Sequence, residues 1–504
     1  MKIGSIIKKI NNDRSLIFIL IFIFLVSRIS LFFMGFKFDM RFLNVAWQNV
    51  DIWLLKTDLL RSIWYLHSQP PFYNLFIGII LKLFPVYFTV VFELIYHFLG
   101  LLLGLCLYSI IKNLTNNKLL SFLISTLFVI SPSVILFEGL FFYDFIVVVT
   151  LVLVLFFFQK FVYTNNTGYL VAFFSTAAFL VLTRRVFHLV WFVVLTAMLL
   201  YFYRHEWKRI LLSLSIPLLL IVFWYGKNLY YFGNFDASSW TGMGFFKTAA
   251  YSLTQDERQR LFSDGIVSEN IFYGSDPFRI PVLSLTTTSL SKSTIAVPVV
   301  GNYMKKDGGI NYNYYAYINL SKELKNEFIS ILKHRPAVYA KGLVVTTIIF
   351  FSPASGYFAA SENNNAIDVN YQLVKKWDIL FDRLIYGQPL SWGGDKLKNY
   401  LSQTLNIKST QAWRLLSPGI LLIAVYLIST IYGLSIIFRK NSISINGLSF
   451  YLTITFIIIN VLYVSAVGIL AEAGENQRHR FIIEPFVWVL FSMFIQSIIF
   501  RNKK

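Results

Sequence analysis

Residues able to do chemistry collect at the edges of apolar runs in this chain. Asp39 follows the first such run in "MGFKFDMRF", and Asp51 lies twelve residues further on in "WQNVDIWLL". Glu138 and Asp144 share "FEGLFFYDF"; Arg184 and Arg185 share "LTRRVFHLVW", with His188 one turn later; Lys227 and Asn228 fall in "WYGKNLYYFGNF". The stretch "AEAGENQRHRFIIEP" sets Glu472, Glu475, Arg478, His479, Arg480 and Glu484 within thirteen residues. Upstream, "WYLHSQPPFYN" brings His67, Gln69 and Asn74 together around two prolines. A carboxylate within hydrogen-bond reach of a hydroxyl can act as a general base. Fixed positive charge stabilises a departing phosphate, and the arginine fork fits it best. The set therefore reads as base, anion clamp and positioning groups beside a greasy surface. Plainer roles compete at each position: Asp39 as a loop cap, Lys227 as a snorkelling side chain, Glu138 and Asp144 as structural partners of Arg184 or Arg185, and His188 as a packing residue.

Those residues sit in a chain of 504 residues that is 56% hydrophobic, 18% aromatic and only 14% charged. A soluble domain carries about 25% charged residues, so the composition implies a membrane protein. The formal charge of +20 fits basic anchoring of cytoplasmic loops and the holding of anionic lipid or phosphate better than nucleic-acid binding. The single cysteine, Cys106, excludes an intrachain disulfide and a cysteine-based metal site. The basic start "MKIGSIIKKINNDR" leads into an apolar run without a small-residue cleavage site, which reads as a retained first helix. No GxGxxG or P-loop lysine motif supports cytosolic nucleotide chemistry.

Ten apolar runs are expected to cross the bilayer: 15–36, 87–111, 119–137, 142–160, 168–183, 186–203, 209–232, 413–438, 448–471 and 481–500. With the N-terminus inside, Lys112 and Lys118, Lys160, Arg204, Lys208 and Arg209, Arg439 and Lys440, and Arg501, Lys503 and Lys504 all fall on the cytoplasmic side. Residues 72–84 are too few to span and suit an interfacial or re-entrant helix. A crossing at 340–359 would reverse the later charges, so that stretch is expected not to cross fully. The chain then divides into a transmembrane module 1–232 with a first outer loop at 37–86, an outer-face segment 233–412 carrying the membrane-associated 340–359, and C-terminal helices 413–504. An amphipathic helix is expected over 315–334.

The order of these motifs resembles the GT-C superfamily of polyprenyl-phosphate-sugar glycosyltransferases, which includes protein O-mannosyltransferases and the lipid A aminoarabinose transferase. The resemblance rests on Asp39 after the first helix, "HSQPPFYN" at 67–74, "SPSVILFEGLFFYD" at 131–144, "LTRR" at 182–185, "WYGKNLYYFG" at 224–233 and "ENQRHRFIIEP" at 475–485. It spans nearly the whole chain. Two features depart from the family pattern. The first loop has Asp39 and Asp51 rather than an acidic pair, and the "HPP" element is stretched by Ser68 and Gln69.

The resemblance implies an all-α polytopic membrane protein of GT-C type, with about ten to twelve transmembrane helices, outer-face loops and a small outer segment. It implies an inverting glycosyltransferase that moves a sugar from a polyprenyl-phosphate donor to a hydroxyl on a glycan, lipid or protein acceptor. The expected membrane is the prokaryotic plasma (inner) membrane, with the site on its outer face. Asp39 or Asp51 would be the base. Arg478, Arg480, Arg184, Arg185 and Lys227 would bind the donor phosphate, and His67, Gln69, Asn74, Glu138, Asp144 and Glu475 would position substrate. No cofactor is expected, with a divalent metal left open, and no nucleic acid. A transporter or flippase of lipid-linked sugar, or an outer-face glycan ligase or polymerase, is the alternative.

Overall fold

In lipid a backbone must satisfy its own hydrogen bonds, and the long apolar runs of this chain accordingly fold as helices. The computed structural model describes residues 12–284, 290–361, 369–387, 396–406, 416, 418–438 and 445–501. Arg439, Lys440, Lys503 and Lys504 lie outside them, as do residues 1–11 and parts of 360–412. Among the described residues there is no strand, only two isolated bridges. The helices that matter below are α1 Asp13–Phe33, α2 Pro71–Leu83, α3 Phe88–Thr115, α4 Lys118–Val129, α5 Pro132–Glu138, α6 Tyr143–Thr164, α7 Thr167–Val181 and α8 Leu189–Phe202. They continue with α9 Trp207–Phe232, α10 Thr241–Ala250, α11 Ala316–His334, α12 Pro336–Phe350, α13 Val369–Ile385, α14 Ile420–Phe438, α15 Ile445–Leu470 and α16 Asn476–Arg501.

Seven of the described helices are long and apolar enough to cross a membrane, or eight if α4 and α5 count as one span bent by 55°. The chain is an integral membrane protein by this measure. α7 and α8, over two of the expected crossings, have 15 and 14 residues. At 1.5 Å per residue they reach only ~20–23 Å, less than a ~30 Å hydrocarbon core. α12, which overlaps the ambiguous 340–359 stretch, is equally short at 15 residues and begins on Pro336. α2 has the 13 residues expected of an interfacial helix, with Pro71 at its first position, where the missing N–H costs nothing.

Two helix hairpins use one device. In "TNN" at 115–117 and again at 164–166, the first asparagine takes the left-handed conformation, with φ of 55° at Asn116 and 49° at Asn165. The second, Asn117 or Asn166, accepts from a backbone N–H at the start of the next helix. Asparagine tolerates both positions better than most residues.

The 233–412 segment has a core of its own. Trp240, Met243 and Phe246 of the α10 region pack with Tyr317, Leu324 and Phe328 of α11, the expected amphipathic helix. α12 joins this core to the bundle by packing against α10, α15 and α16.

Candidate active site

The link between α15 and α16 folds back on itself because Asn476 ties it down. Its amide donates to Gly468 O at 2.6 Å and Glu472 O at 2.8 Å, and its oxygen accepts from Gly474 N at 3.1 Å. α16 therefore starts beside the first turn of α6 and the end of α7. Arg478 Nη1 reaches Asp144 Oδ2 at 3.1 Å, and Arg184 pairs with the other Asp144 oxygen. Arg184 also lies 3.2 Å from His479 Nε2. Asp144 is fully buried, and the side chains of Arg184 and Arg478 are each 5% exposed. One carboxylate thus holds two guanidiniums. Glu475 pairs with Arg478 and is 40% exposed, while Glu472 pairs with Arg185.

These groups open into a cleft of about 660 Å³ whose lining includes Arg184, Arg185, Arg478, His479, Glu472 and Glu475. Sequence reasoning brought those stretches together from charge alone. It missed the opposite wall, where Trp47 and Gln48 of the first loop, Trp240, Lys247 and Phe278 face the charges. Lys247 forms no ion pair among the described residues, so four cations meet three carboxylates and one positive charge is left over. Trp47 and Trp240 both pack on Phe278 with ring centroids 4.6 Å apart, an aromatic wall. Gly244 lets α10 lie against the 471–475 link: a Cβ there would stand 2.6 Å from Ala471 O. The buried Arg478 Nε and Trp240 Nε1 have no partner among the described residues. Left unpaired, such groups cost free energy, and a ligand in the cleft would satisfy them.

"WYLHSQPPFYN" is the junction on which several of the other motifs meet. Gln69 lines the cleft. Asn74 accepts from Val50 N at 2.8 Å and donates to Gln48 O at 3.0 Å, fixing the loop that presents Trp47 and Gln48. Phe72 N donates to Leu182 O of "LTRR" at 2.8 Å, and Lys227 Nζ donates to Leu66 O at 2.8 Å. Lys227 also sits 3.6 Å over the Trp224 ring, away from the cleft lining. His67 is buried between Ser239 Oγ on Nδ1 and Asn313 O on Nε2, both at 2.8 Å. Nε2–H then donates to the Asn313 carbonyl and Nδ1 accepts from Ser239, so the ring is held neutral. Burial lowers its pKa to about 3. Because the unfolded chain takes up this proton near 6.5 and the folded chain does not, stability falls with pH below 6.5, by ~1.4 kcal/mol per pH unit at most. We expect that slope in unfolding midpoints between pH 6 and 4, and its loss in His67→Gln; an identical slope in the variant would refute the role.

The remaining candidates stand apart from the cleft. Asp39 pairs with Arg41 through contacts of 2.5–3.0 Å, and its backbone bridges to Gly139 and Phe141 at 2.8 and 2.9 Å. Phe42, three residues on, packs on Phe142 at 5.1 Å, and the Phe142 ring lies 5.2 Å from the Arg478 guanidinium. Asp39 is thus near the cleft but does not line it. Asp51 caps a short helix by accepting from Trp53 N at 2.8 Å, and accepts from Lys306 N at 2.6 Å. Glu138 is buried with Arg28 at 2.5 Å and His97 at 2.7 Å, in the notch that Gly100 leaves. Arg480 points away from Arg478, because two residues on a helix are about 200° apart. It pairs with Glu484 at 2.8 Å and borders a separate apolar cavity of about 1000 Å³ between α4, α14 and α16. No group of three His, Cys, Asp or Glu side chains among the described residues could hold a metal ion.

No family model, curated protein or solved structure matches the chain. The cleft itself combines clustered guanidiniums able to hold an anion, unpaired donors, and aromatic faces able to stack on a sugar.

Proposed function

We propose that this protein is an inverting glycosyltransferase of GT-C type, taking a sugar from a polyprenyl monophosphate on the outer face of a prokaryotic plasma membrane. The observation that carries the reading is the cleft, which Arg184, Arg185, Arg478 and Lys247 line together with the aromatic side chains Trp47, Trp240 and Phe278. The arginines and Lys247 hold the phosphate; Trp47, Trp240 and Phe278 flank the sugar; the apolar cavity beyond Arg480 offers room for hydrocarbon. In this reading the short α7 and α8 cross together with the longer helices, giving ten spans.

Inversion requires attack on the side of the sugar opposite the phosphate. Glu472 and Glu475 line the cleft but belong to the phosphate arm through Arg185 and Arg478. Asp51 is committed to two backbone N–H groups. Asp39, which pairs with Arg41 on the other side of Phe142, is the base in this reading: with Arg41 displaced, its carboxylate takes the acceptor proton. Asp39→Asn is expected to lower transfer by roughly 10²–10⁴ while leaving donor binding intact. Purified protein incubated with polyprenyl-monophosphate and polyprenyl-pyrophosphate sugars, together with envelope glycans, lipids and proteins as acceptors, should release lipid phosphate from the former. Release from neither overturns the transferase reading, and full activity in Asp39→Asn overturns the base.

A further inference from the structure

A second polar cavity, of about 860 Å³, lies between the first loop and the 233–412 segment. Asp51, Trp53 and Leu54 form one side, and Asn302, Met304, Lys305, Lys306 and Asn311 are on the other. The lysines sit on a turn built to face this gap. Lys305 N donates to Gly309 O at 2.7 Å, Met304 bridges Ile310, and Asp51 holds the turn through Lys306 N at 2.6 Å. Lys305 is only 7% exposed. Neither lysine forms an ion pair among the described residues. Burial of the side chain lowers the Lys305 pKa, and Asp307 and Asp51 nearby offset this only in part. The Asp51 carboxylate accepts from two backbone N–H groups and makes no ion pair with Lys305 among the described residues. Trp53 is half-exposed beside it, with Lys306 Nζ 5.7 Å from the ring. An anion would complete Lys305, and a sugar ring would cover Trp53.

We propose that this cavity binds a saccharide bearing a carboxylate or phosphate group, with Lys305 as the anion's ligand and Trp53 as the stacking face. This rests on the transferase reading in one respect: it assigns the site to the acceptor, and makes that acceptor acidic. Asp51 then serves by holding the lysine turn in place.

Binding to the purified full chain is measured without donor, using glucuronate, glucose 6-phosphate, inorganic phosphate and glucose. Glucuronate and glucose 6-phosphate should bind at least tenfold more tightly than glucose, and Lys305→Met should remove that margin, about tenfold or more. Trp53→Ala should weaken both acidic sugars and leave inorganic phosphate unchanged. Equal binding of glucuronate and glucose overturns the site, as does an unchanged margin in Lys305→Met. Should Lys305→Met fail to fold, Lys305→Gln gives the reading: an unchanged margin there also counts against the site. Binding of acidic sugars by a chain that releases no lipid phosphate keeps the site and removes its assignment to an acceptor.

Discussion

Arg478→Lys is expected to cut lipid-phosphate release by two to three orders of magnitude, with little change in the unfolding midpoint. Arg478 lies between two aromatic rings, 5.2 Å from Phe142 and 4.9 Å from Tyr357. Its Nη1 is spent on Asp144 at 3.1 Å, and Nη2 is spent on Glu475. The Glu475 partner is the more exposed, so on the proposed reading an entering phosphate would displace it and inherit the fork, together with the unpartnered Nε. Removing one preorganised donor to developing charge costs about 10²–10³ in turnover. Lysine keeps the charge and loses the planar fork and its stacking, so it is not a conservative change here. The effect should fall on kcat more than on KM, because the negative charge on the phosphate grows as the sugar leaves. Glu475→Gln supplies the contrast: with the placeholder weakened, donor affinity should rise modestly. Turnover in Arg478→Lys close to that of the unaltered protein would remove Arg478 from the phosphate site.

Much of this site is legible in the sequence as charge beside apolar runs. "FYDF", "LTRR" and "ENQRHR" each place ionisable groups at the end of a span, where they are expensive unless paired or used, and the structure brings Asp144, Arg184 and Arg478 into contact. The separation of Arg478 from Arg480 was also within reach of the sequence, since the residues differ by two on a helix and must face apart. The opposite wall was not. Trp47, Gln48, Trp240 and Phe278 come from irregular loops or the edge of a short helix, with no periodicity to give their direction. The sequence marks His67 as a substrate-positioning residue; its burial and its partners Ser239 and Asn313, about 170 and 250 residues away, are facts of tertiary structure. The crossings expected over 168–183 and 186–203 illustrate a different limit. Hydropathy counts apolar residues but not the helix ends, and there the helices stop at Val181 and start again at Leu189, leaving Thr183, Arg184 and Arg185 free to build the site.

Asp144 makes the sharpest test of what holds the cleft together. Arg184 and Arg478 are both buried, and Asp144 is the carboxylate they share. Arg184 has no other carboxylate partner among the described residues, while Arg478 retains the more exposed Glu475. Asp144→Asn would leave the Arg184 charge uncompensated in a low-dielectric setting, and its amide group would face a guanidinium with like polarity. Breaking a buried pair by removing one partner costs about 3–5 kcal/mol, so Asp144→Asn should unfold well below the unaltered chain and lose transfer as well. Asp39→Asn breaks a pair whose Arg41 side chain is 53% exposed, and such surface pairs contribute about 0–1 kcal/mol. Its stability should hardly move while transfer collapses. The cause of the Asp144 effect can be isolated by removing a cation as well: Asp144→Asn combined with Arg184→Met should recover much of the lost stability, because the cost lies in the unpaired charge and not in the missing carboxylate. Transfer should stay low in that double variant, since Arg478 has lost the group that aims it. A double variant no more stable than Asp144→Asn alone would mean that Asp144 supports the cleft by packing rather than by charge.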